Sequence, residues 1–472
     1  MVFSSTLFLF VYLPVVLLIY YIAPLKWRNV ILFVFSLFFY GWGEPVYVFL
    51  MVFMIMLDYF FGRLIEKNRT NPDHAVGMKH ARVWLVTSIV INIGILFLFK
   101  YLDFVIENLR QIPGLSGLHP LGLVMPIGIS FYTFQKMSYI IDVYRGDSHA
   151  QKNYIKFGTY VTMFPQLIAG PIIKYKDVDQ QLSKRGHTTD RFADGVTIFV
   201  IGLAKKVLLA NSIGVLWDTY QAAGVDDLSV TGAWMAALAF SFQIYFDFSG
   251  YSDMAVGLGR MFGFEFMKNF NYPYIANSIT DFWRRWHISL STWFKEYLYI
   301  PLGGNRKGKW RNILNLLIVW AVTGIWHGAA WNFLLWGLYY AVLLIFEKLW
   351  LLKRMEKWPH IFRHIYTLVL VVIGWAIFAC DSLRMCMTMI SRMFGFGGNG
   401  MIQTQDVYYL VSYALILLIL CISSAPVMVN LYRKLSVNVQ QILTPVLLLL
   451  GLILSTAVIV DSTYNPFLYF RF

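Results

Sequence analysis

Apolar runs close to the length that crosses a bilayer recur from one end of this sequence to the other. A spanning α-helix needs about 20 mostly apolar residues. Hydrophobic residues make up 58% of the 472-residue chain and charged residues only 14%. The runs do not alternate polar and apolar residues as barrel strands would. The apolar runs cover residues 7–24, 29–61, 83–99, 155–173, 194–215, 229–248, 312–346, 365–380, 406–429 and 441–460. We therefore predict an all-α integral membrane protein with about 11 or 12 transmembrane or re-entrant helices.

Basic residues account for the net charge of +14, and they lie in short loops between the apolar runs. This distribution follows the positive-inside rule and argues against nucleic acid as a partner. The three cysteines lack the spacing of a zinc site or a disulfide framework. Because no long linker or repeat divides the chain, we expect residues 1–472 to form a single multi-pass domain in a membrane.

Proline and glycine interrupt two of the apolar stretches. "MPIGISFYTFQK" (125–136) contains Pro126, and "FPQLIAGPIIKY" (164–175) contains Pro165, Gly170 and Pro171. Both patterns are typical of kinked or re-entrant segments, and ordinary proline kinks are the simpler alternative. Irregular backbone at membrane depth is tolerated where protein or a water-filled cavity satisfies it.

Polar side chains form a stripe on one apolar segment, residues 239–264. Gln243, Asp247 and Tyr251 recur every four residues and therefore share one face of a helix. An acidic residue is costly in lipid and should face a cavity or a partner. Asp247 is therefore either a functional residue or a residue with a capping or helix-pairing role next to Gly250.

The segment "ITDFWRRWHISLSTWFKEYLYIPLGGNRKGKWRN" (279–312) is predicted to be an interfacial amphipathic helix followed by a basic loop. Helical spacing places its cations Arg284, Arg285 and Lys295 on one side. His287 falls on the opposite, aromatic side and should point inward, together with Trp283, Trp286, Leu290, Trp293, Phe294 and Tyr297.

The basic loop "GGNRKGKW" (303–310) nearly matches a phosphate-binding P-loop, but Trp310 stands where the serine or threonine belongs, so we reject that match. Two interpretations remain for the loop, a positive-inside anchor or a docking patch for an anionic donor such as a phosphate-bearing coenzyme. The candidate donor-binding residues are Arg284, Arg285, Arg306, Lys307 and Lys309.

His327 lies in "TGIWHGAAWNF" (323–333), within an uncharged stretch too long for one span. The chain should therefore turn near Gly324, Gly328 or Asn332, which places His327 beside irregular backbone and a cavity. A desolvated histidine is neutral and can accept a proton from an attacking hydroxyl. The alternative is a helix-pairing histidine.

Three stretches together resemble the membrane-bound O-acyltransferases, in particular the bacterial alginate O-acetyltransferase-like branch. They are "FQIYFDFSGYSDMAVGLGRMFGF", "DFWRRWHISLSTWFKEYLYIPLGGNR" and "TGIWHGAAWNFLLWG", and the shorter "PIGISFYTFQ", "PQLIAGPI" and "NPFLYFRF" extend the resemblance over nearly the whole chain. The family's W-H-G histidine corresponds to His327, and its second histidine corresponds to His287.

The resemblance implies a ring of helices around a central tunnel, with His327 near its middle as base or acyl relay and His287 orienting the reactants. Asp247, Gln243, Trp326 and Asn332 would support them or line the tunnel. It also implies an acetyl group from a cytoplasmic thioester, with acetyl-CoA as a substrate rather than a bound cofactor. The acceptor would be an exported or cell-wall polysaccharide, reached with a secreted or membrane-anchored acyltransferase partner outside a bacterial plasma membrane.

Two other functions remain open from the sequence. A D-alanyl transferase that modifies teichoic acid from a carrier-protein thioester would share the fold, and acylation of lipid or protein is a further variant. From another class, a transporter or flippase would also have broken helices and an intramembrane acid, although such folds often contain internal repeats.

Overall fold

The computed structural model describes residues 1–397, 399–461 and 467–468. Within these ranges every regular element is a helix, as predicted. The α-helices are α1 (Leu13–Ile22), α2 (Arg28–Gly41), α3 (Tyr47–Arg69), α4 (His74–Lys100), α5 (Leu102–Leu109), α6 (Ile129–Arg145), α7 (Tyr154–Thr162), α8 (Phe164–Leu167), α9 (Tyr175–Ser183), α10 (Thr189–Ala204), α11 (Asn211–Ala223), α12 (Val230–Met261), α13 (Ile279–Arg285), α14 (Ile288–Phe294), α15 (Lys309–His327), α16 (Trp331–Phe346), α17 (Leu352–Met355), α18 (His360–Ala379), α19 (Leu383–Met393), α20 (Thr404–Ser412), α21 (Ala414–Ser423), α22 (Val427–Arg433) and α23 (Val437–Asp461).

Short helical turns of other types join or extend several of these helices. Turns of π-helix occupy Phe8–Tyr12, Lys205–Ala210, Lys295–Tyr299 and Glu347–Leu351, and turns of 3₁₀-helix occupy Leu25–Trp27, Val225–Asp227 and Pro273–Ile275. The turn Lys205–Ala210 makes α10 and α11 one continuous span, Thr189–Ala223.

Six helices of the described chain are long and apolar enough to cross a membrane, and a seventh span arises if the bent pair α20 and α21 is taken as one. The six are Tyr47–Arg69, His74–Lys100, Thr189–Ala223, Trp331–Met355, His360–Ala379 and Val437–Asp461. The multi-pass helical membrane fold is therefore confirmed. Other apolar runs form shorter or interrupted helices.

The chain divides into two compact units. The first comprises Met1–Phe199 and Met254–Met267, and the second comprises Val200–Asp253 and the described residues from Lys268 onward. That residues 1–472 act as a single domain stays a prediction. Both predicted histidines lie in the second unit.

The two proline-containing stretches of the first unit differ in structure. Pro126 lies ahead of α6, whose N-cap Gly128 has a φ of 74°, so this proline precedes a helix and does not kink one. A Cβ at Gly128 would meet the carbonyl oxygen of Leu167 at 2.8 Å, which explains the need for glycine. The other stretch is interrupted as predicted, since α7 ends at Thr162 and α8 holds only Phe164–Leu167.

A buried polar network joins α3, α4 and α6 in the first unit. Asp58 accepts hydrogen bonds from Ser88 Oγ at 2.7 Å and Asn92 Nδ2 at 2.9 Å. Lys136 Nζ lies 3.2 Å from the Asp58 carboxylate and donates to Asn92 Oδ1 at 2.9 Å. All four side chains are buried, and their mutual hydrogen bonds offset the cost of removing two charges from water.

Candidate active site

His327 is the last residue of α15, and α16 begins at Trp331. The chain thus reverses through residues 328–330, in the region where the sequence predicts a turn. Glycine allows the two helices to approach closely, because a Cβ at Gly324 would meet the carbonyl oxygen of Phe333 at 2.3 Å and one at Gly337 would meet that of Trp320 at 2.3 Å. The break is therefore built into the packing of this helix pair.

Aromatic rings surround the His327 imidazole, which is only 6% exposed. Its ring centroid lies 5.0 Å from Trp326, 5.0 Å from Trp336 and 5.4 Å from Phe378, each nearly perpendicular to it. Edge-to-face packing of this kind fixes the orientation of a ring. Trp336 and Phe378 come from α16 and α18, and the sequence carries no local signal that predicts this role for them.

His287 occupies a break between α13 and α14, where we expected one continuous helix. Trp286 is extended and His287 has φ 44° and ψ 55°, a left-handed conformation that is uncommon for a residue with a Cβ. The amide of Ile288 bonds to the carbonyl of Asn269 at 2.9 Å in place of continuing the helical ladder. The predicted inward orientation is nevertheless confirmed, because His287 is 1% exposed.

Hydrogen bonds to Asn269 set the tautomer of His287. Asn269 Oδ1 accepts from the Ser289 amide at 3.1 Å and from Ser289 Oγ at 2.9 Å, which assigns this atom as the oxygen. His287 Nδ1 lies 3.2 Å from the same oxygen and must therefore carry the proton. Nε2 is then a basic nitrogen, buried and without a hydrogen-bond partner among the residues that the structure describes.

Trp326 lies near both histidines, and a small cavity opens beside the chain reversal. The Trp326 ring centroid is 6.4 Å from His287 and 5.0 Å from His327. The cavity, of about 290 Å³, is lined in part by Gly328, Ala330 and Asn332. Asn332 is 1% exposed, and its Oδ1 accepts no hydrogen bond from the described part of the chain. Its amide nitrogen donates to the Phe378 carbonyl at 3.5 Å, so its oxygen is the atom available to a molecule that enters the cavity.

A buried carboxylate anchors the helix that leads to His287. Glu347, which directly follows α16, accepts hydrogen bonds from the amides of Ile279 and Thr280 at 2.7 and 2.8 Å and from Thr280 Oγ1 at 2.7 Å. These amides belong to the first turn of α13, where a negative charge is favourable. This contact ties α13 to the helix that follows His327.

Asp247 pairs with a lysine and does not contact a histidine within the described residues. Its Oδ1 lies 2.5 Å from Lys206 Nζ, and its Oδ2 accepts from the backbone amide of Leu468 at 2.8 Å. Gly250 permits this close approach, since a Cβ there would meet the amide nitrogen of Lys206 at 2.9 Å. Of the two roles left open for Asp247, these contacts correspond to helix pairing.

Two residues connect Asp247 to the candidate site, its chain neighbour Phe248 and its hydrogen-bond partner Leu468. The adjacent Phe248 packs perpendicular to His287, with ring centroids 4.7 Å apart, and against Phe467 at 5.8 Å. Leu468, held by Asp247, is one of the residues that line the cavity. Gln243 shares the helix face of Asp247 as predicted, and its side chain lies against Gly214 of α11.

The candidate donor-binding cations differ in their surroundings. Arg285 bonds to Asp281 Oδ1 at 3.0 Å and to the Asn271 carbonyl at 3.3 Å, so it already holds α13 in place. The other four are exposed: Arg284, Arg306, Lys307 and Lys309. No group of three or more histidine, cysteine or acidic side chains in the described ranges could hold a metal ion.

The model of the membrane-bound O-acyltransferase family matches residues 150–390, a range that contains His287, His327 and Asp247. The chain belongs to this family and is an acyltransferase, as the resemblance in sequence indicated.

Individual proteins similar to this chain extend the comparison. A probable alginate O-acetylase, AlgI, of Pseudomonas putida is 39% identical over 100% of both chains. A peptidoglycan O-acetyltransferase of Helicobacter pylori is 34% identical over 84% of this chain and 80% of its own length. A teichoic acid D-alanyltransferase of Bacillus subtilis is 29% identical over 55% of this chain and 70% of its own length.

Proposed function

We propose that this protein transfers an acetyl group from a cytoplasmic thioester, acetyl-CoA, for the O-acetylation of an exported or cell-wall polysaccharide. Relatives that match over most of this chain include a probable alginate O-acetylase and a peptidoglycan O-acetyltransferase, whereas the D-alanyltransferase of Bacillus subtilis matches over about half of it. The enzyme would act in a bacterial plasma membrane and pass the acyl group through a tunnel in the protein.

The observation that carries the proposal is the placement of two buried histidines near the same residue, Trp326. Each ends or interrupts a helix, and a cavity lies beside the break that follows His327. Helix breaks inside a membrane protein are tolerated where a cavity or protein satisfies the backbone, so they are common at functional positions. A cavity of about 290 Å³ suits a small acyl group.

We assign His327 as the general base. The acceptor hydroxyl gives its proton to a His327 ring nitrogen while its oxygen forms a bond to the acyl carbon. The carbon–sulfur bond breaks, and the imidazolium returns the proton to the thiolate, so the products are an ester and a free thiol. Aromatic packing holds the His327 ring in one orientation throughout, which reduces the entropy lost in the reaction.

We assign His287 an orienting role through its unprotonated Nε2. This nitrogen can accept a hydrogen bond from a substrate hydroxyl or amide because Asn269 fixes the proton on Nδ1. Asn332 would supply a polar contact in the cavity beside the break that follows His327. The donor's phosphates would meet the exposed cations Arg284, Arg306, Lys307 and Lys309, and a partner outside the membrane would complete transfer along the polymer.

Release of free thiol tests the proposal directly. The full chain, purified into vesicles, is supplied with acetyl-CoA and an acceptor oligosaccharide, and free CoA is measured over time. Wild-type protein should release CoA, and His327→Ala should reduce the rate at least about 100-fold because the base is lost. His287→Ala should reduce it about 10- to 100-fold.

Matched controls separate chemistry from folding. His149→Ala removes a histidine whose side chain is 89% exposed in the first unit and should leave turnover unchanged. Melting temperature, measured by tryptophan fluorescence, identifies variants that are merely unfolded. Turnover with a carrier-protein thioester but not with acetyl-CoA would overturn the donor assignment, and full turnover in folded His327→Ala would overturn the assigned base.

A further inference from the structure

A cluster of basic side chains in the first unit has no role in the proposed reaction. Arg28 begins α2, and Arg185 and His187 lie in the loop between α9 and α10. All three converge on Tyr20. The guanidinium carbons of Arg28 and Arg185 lie 5.0 and 5.8 Å from the Tyr20 ring, and His187 Nε2 lies 2.8 Å from its hydroxyl.

Hydrogen bonds fix Arg185 in this cluster. Its Nε donates to Tyr20 Oη at 3.0 Å and to the Phe262 carbonyl at 3.1 Å, and its Nη1 donates to Asn29 Oδ1 at 2.7 Å. Its guanidinium also stacks 4.4 Å from the ring of Phe264. Such a preorganised arginine loses little conformational entropy when it binds an anion.

Arg28 contributes an unused donor. Its Nε reaches the Ala23 carbonyl at 3.4 Å, but its buried Nη1 makes no hydrogen bond with any described residue. No carboxylate in the described ranges lies within ion-pair distance of Arg28 or Arg185. The nearby acid Glu265 pairs with Arg191 and Arg260 instead. Two guanidinium groups are thus held together without a counter-charge, and an anion would offset their repulsion.

The ionisation of His187 is consistent with this excess of positive charge. Burial first, and then the positive charges of Arg28, Arg185 and Arg191, lower its pKa from 6.5 to about 4. His187 is therefore neutral at pH 7 and can hydrogen-bond to Tyr20 without adding a third charge.

The surroundings of Arg28 place the cluster at a membrane surface. The apolar helix before it ends at Ile22, which is 75% exposed, and Leu25 and Trp27 are 72% and 52% exposed. Lys26 is exposed between them. A change from exposed apolar residues to tryptophan and basic residues is typical of the headgroup region of a bilayer.

We propose that Arg28 and Arg185 form a binding site for the phosphate of an anionic phospholipid headgroup. Paired guanidinium groups match the geometry of phosphate oxygens, and the free Nη1 of Arg28 supplies a donor in addition to the positive charge. The exposed Leu25 and Trp27 would contact the acyl chains of the same lipid. This site is independent of the acyltransferase site, so its test requires no turnover.

Lipid-dependent thermal stabilisation tests the proposal. The full chain in a neutral detergent is titrated with short-chain phosphatidic acid, and the melting temperature is followed by tryptophan fluorescence. Wild-type protein should show saturable stabilisation. Arg28→Gln should weaken the apparent affinity about tenfold or more, because a charge-assisted hydrogen bond is lost.

Two variants and a second anion make the result specific. Lys26→Gln removes an exposed charge nearby and should change the affinity less than about twofold, whereas Arg28→Lys keeps the charge and should show an intermediate loss. Equal effects of Lys26→Gln and Arg28→Gln would overturn the site in favour of general surface charge. Inorganic phosphate that stabilises and competes as well as the lipid would overturn the lipid assignment, and absence of stabilisation by either anion would overturn the proposal.

Discussion

Each unit of this protein contains a buried pair of an aspartate and a lysine, and the two pairs differ in what surrounds them. In the first unit, Asp58 and Lys136 share their hydrogen bonds with Ser88 and Asn92, so the network closes on itself within three helices. In the second unit, Asp247 pairs with Lys206 through one carboxylate oxygen. Its other oxygen accepts a hydrogen bond from the amide of Leu468, a residue that lines the cavity.

The two ion pairs are chemically similar, but this difference implies that one stabilises the fold alone and the other also serves the reaction. Removing one member of a buried ion pair leaves an uncompensated charge, so both aspartates should stabilise the fold. Only Asp247 also positions Leu468 beside the cavity and lies next to Phe248, which packs on His287. An intramembrane acid is therefore not by itself evidence of catalysis, and its hydrogen-bond partners distinguish the two cases.

Among the variants that test this comparison between the two pairs, Asp247→Ala should have the largest effect. The variant leaves Lys206 buried beside a missing carboxylate and frees the Leu468 amide, so the free energy of unfolding should fall by about 3–5 kcal/mol. Turnover per folded molecule should also fall about 10- to 100-fold because the cavity lining shifts. Melting temperature and CoA release, each normalised to folded protein, measure the two effects.

Asp253→Ala is the matched control on the same helix. It breaks the neighbouring pair with Lys205, whose atoms are 2.6 Å apart and whose side chains are about one quarter exposed, at 27% and 26%. Because this pair is less buried than the pair of Asp247 and Lys206, the free energy of unfolding should fall less than in Asp247→Ala. Normal turnover in folded Asp247→Ala would show that Asp247 contributes to stability but not to the reaction.

Asp58→Ala should produce the stability effect alone. The free energy of unfolding should fall by about 3–5 kcal/mol because Lys136 is fully buried. Turnover per folded molecule should stay within about twofold of wild type. The double variant Asp58→Leu with Lys136→Met should regain much of the melting temperature, since it removes both charges together. A selective loss of turnover would show that the first network also serves the reaction.

The sequence predicted those parts of the site that depend on local spacing. The inward histidines, the aromatic face that carries His287 and the chain reversal after His327 follow from helical periodicity and from the length of an uncharged run. They also match the family that the comparisons identify.

The parts that were not predicted depend on contacts between distant residues. Helical spacing treats 279–297 as continuous, but the Ile288 amide bonds to the Asn269 carbonyl, so the helix breaks at His287. The Asn269–Ser289 bond and the Glu347–Ile279 bond span 20 and 68 residues along the chain, beyond any local pattern. Lys206 carried no sign in the sequence that it would pair with Asp247.

A smaller effect is expected from Gly324→Ala, which tests whether helix packing in the second unit positions His327. A Cβ there would lie 2.3 Å from the carbonyl oxygen of Phe333, so α15 and α16 must separate. The free energy of unfolding should fall by about 1–3 kcal/mol, with a loss of CoA release. Gly94→Ala in the first unit is the control, because a Cβ there meets nothing within 4 Å. Equal effects of the two variants would show that Gly324 has no special packing role.

The smallest expected effect concerns His187 of the first unit, which should make stability depend on pH. Its pKa is about 4 in the folded protein against an ordinary value of 6.5, because of burial and then of Arg28, Arg185 and Arg191. The unfolded chain therefore binds the proton more readily than the folded protein does. The contribution of neutral His187 to stability is complete above pH 6.5 and is lost as the pH falls toward 4. The histidine is partly exposed, so solvent screening limits the change in the free energy of unfolding to about 1 kcal/mol or less.

As the pH is lowered, the melting temperature should fall less steeply in His187→Gln than in wild type, whereas His149→Gln should leave the profile unchanged. Identical profiles for wild type and His187→Gln would contradict the assigned shift, and a flatter wild-type profile in the presence of phosphatidic acid would connect it to the proposed phosphate site.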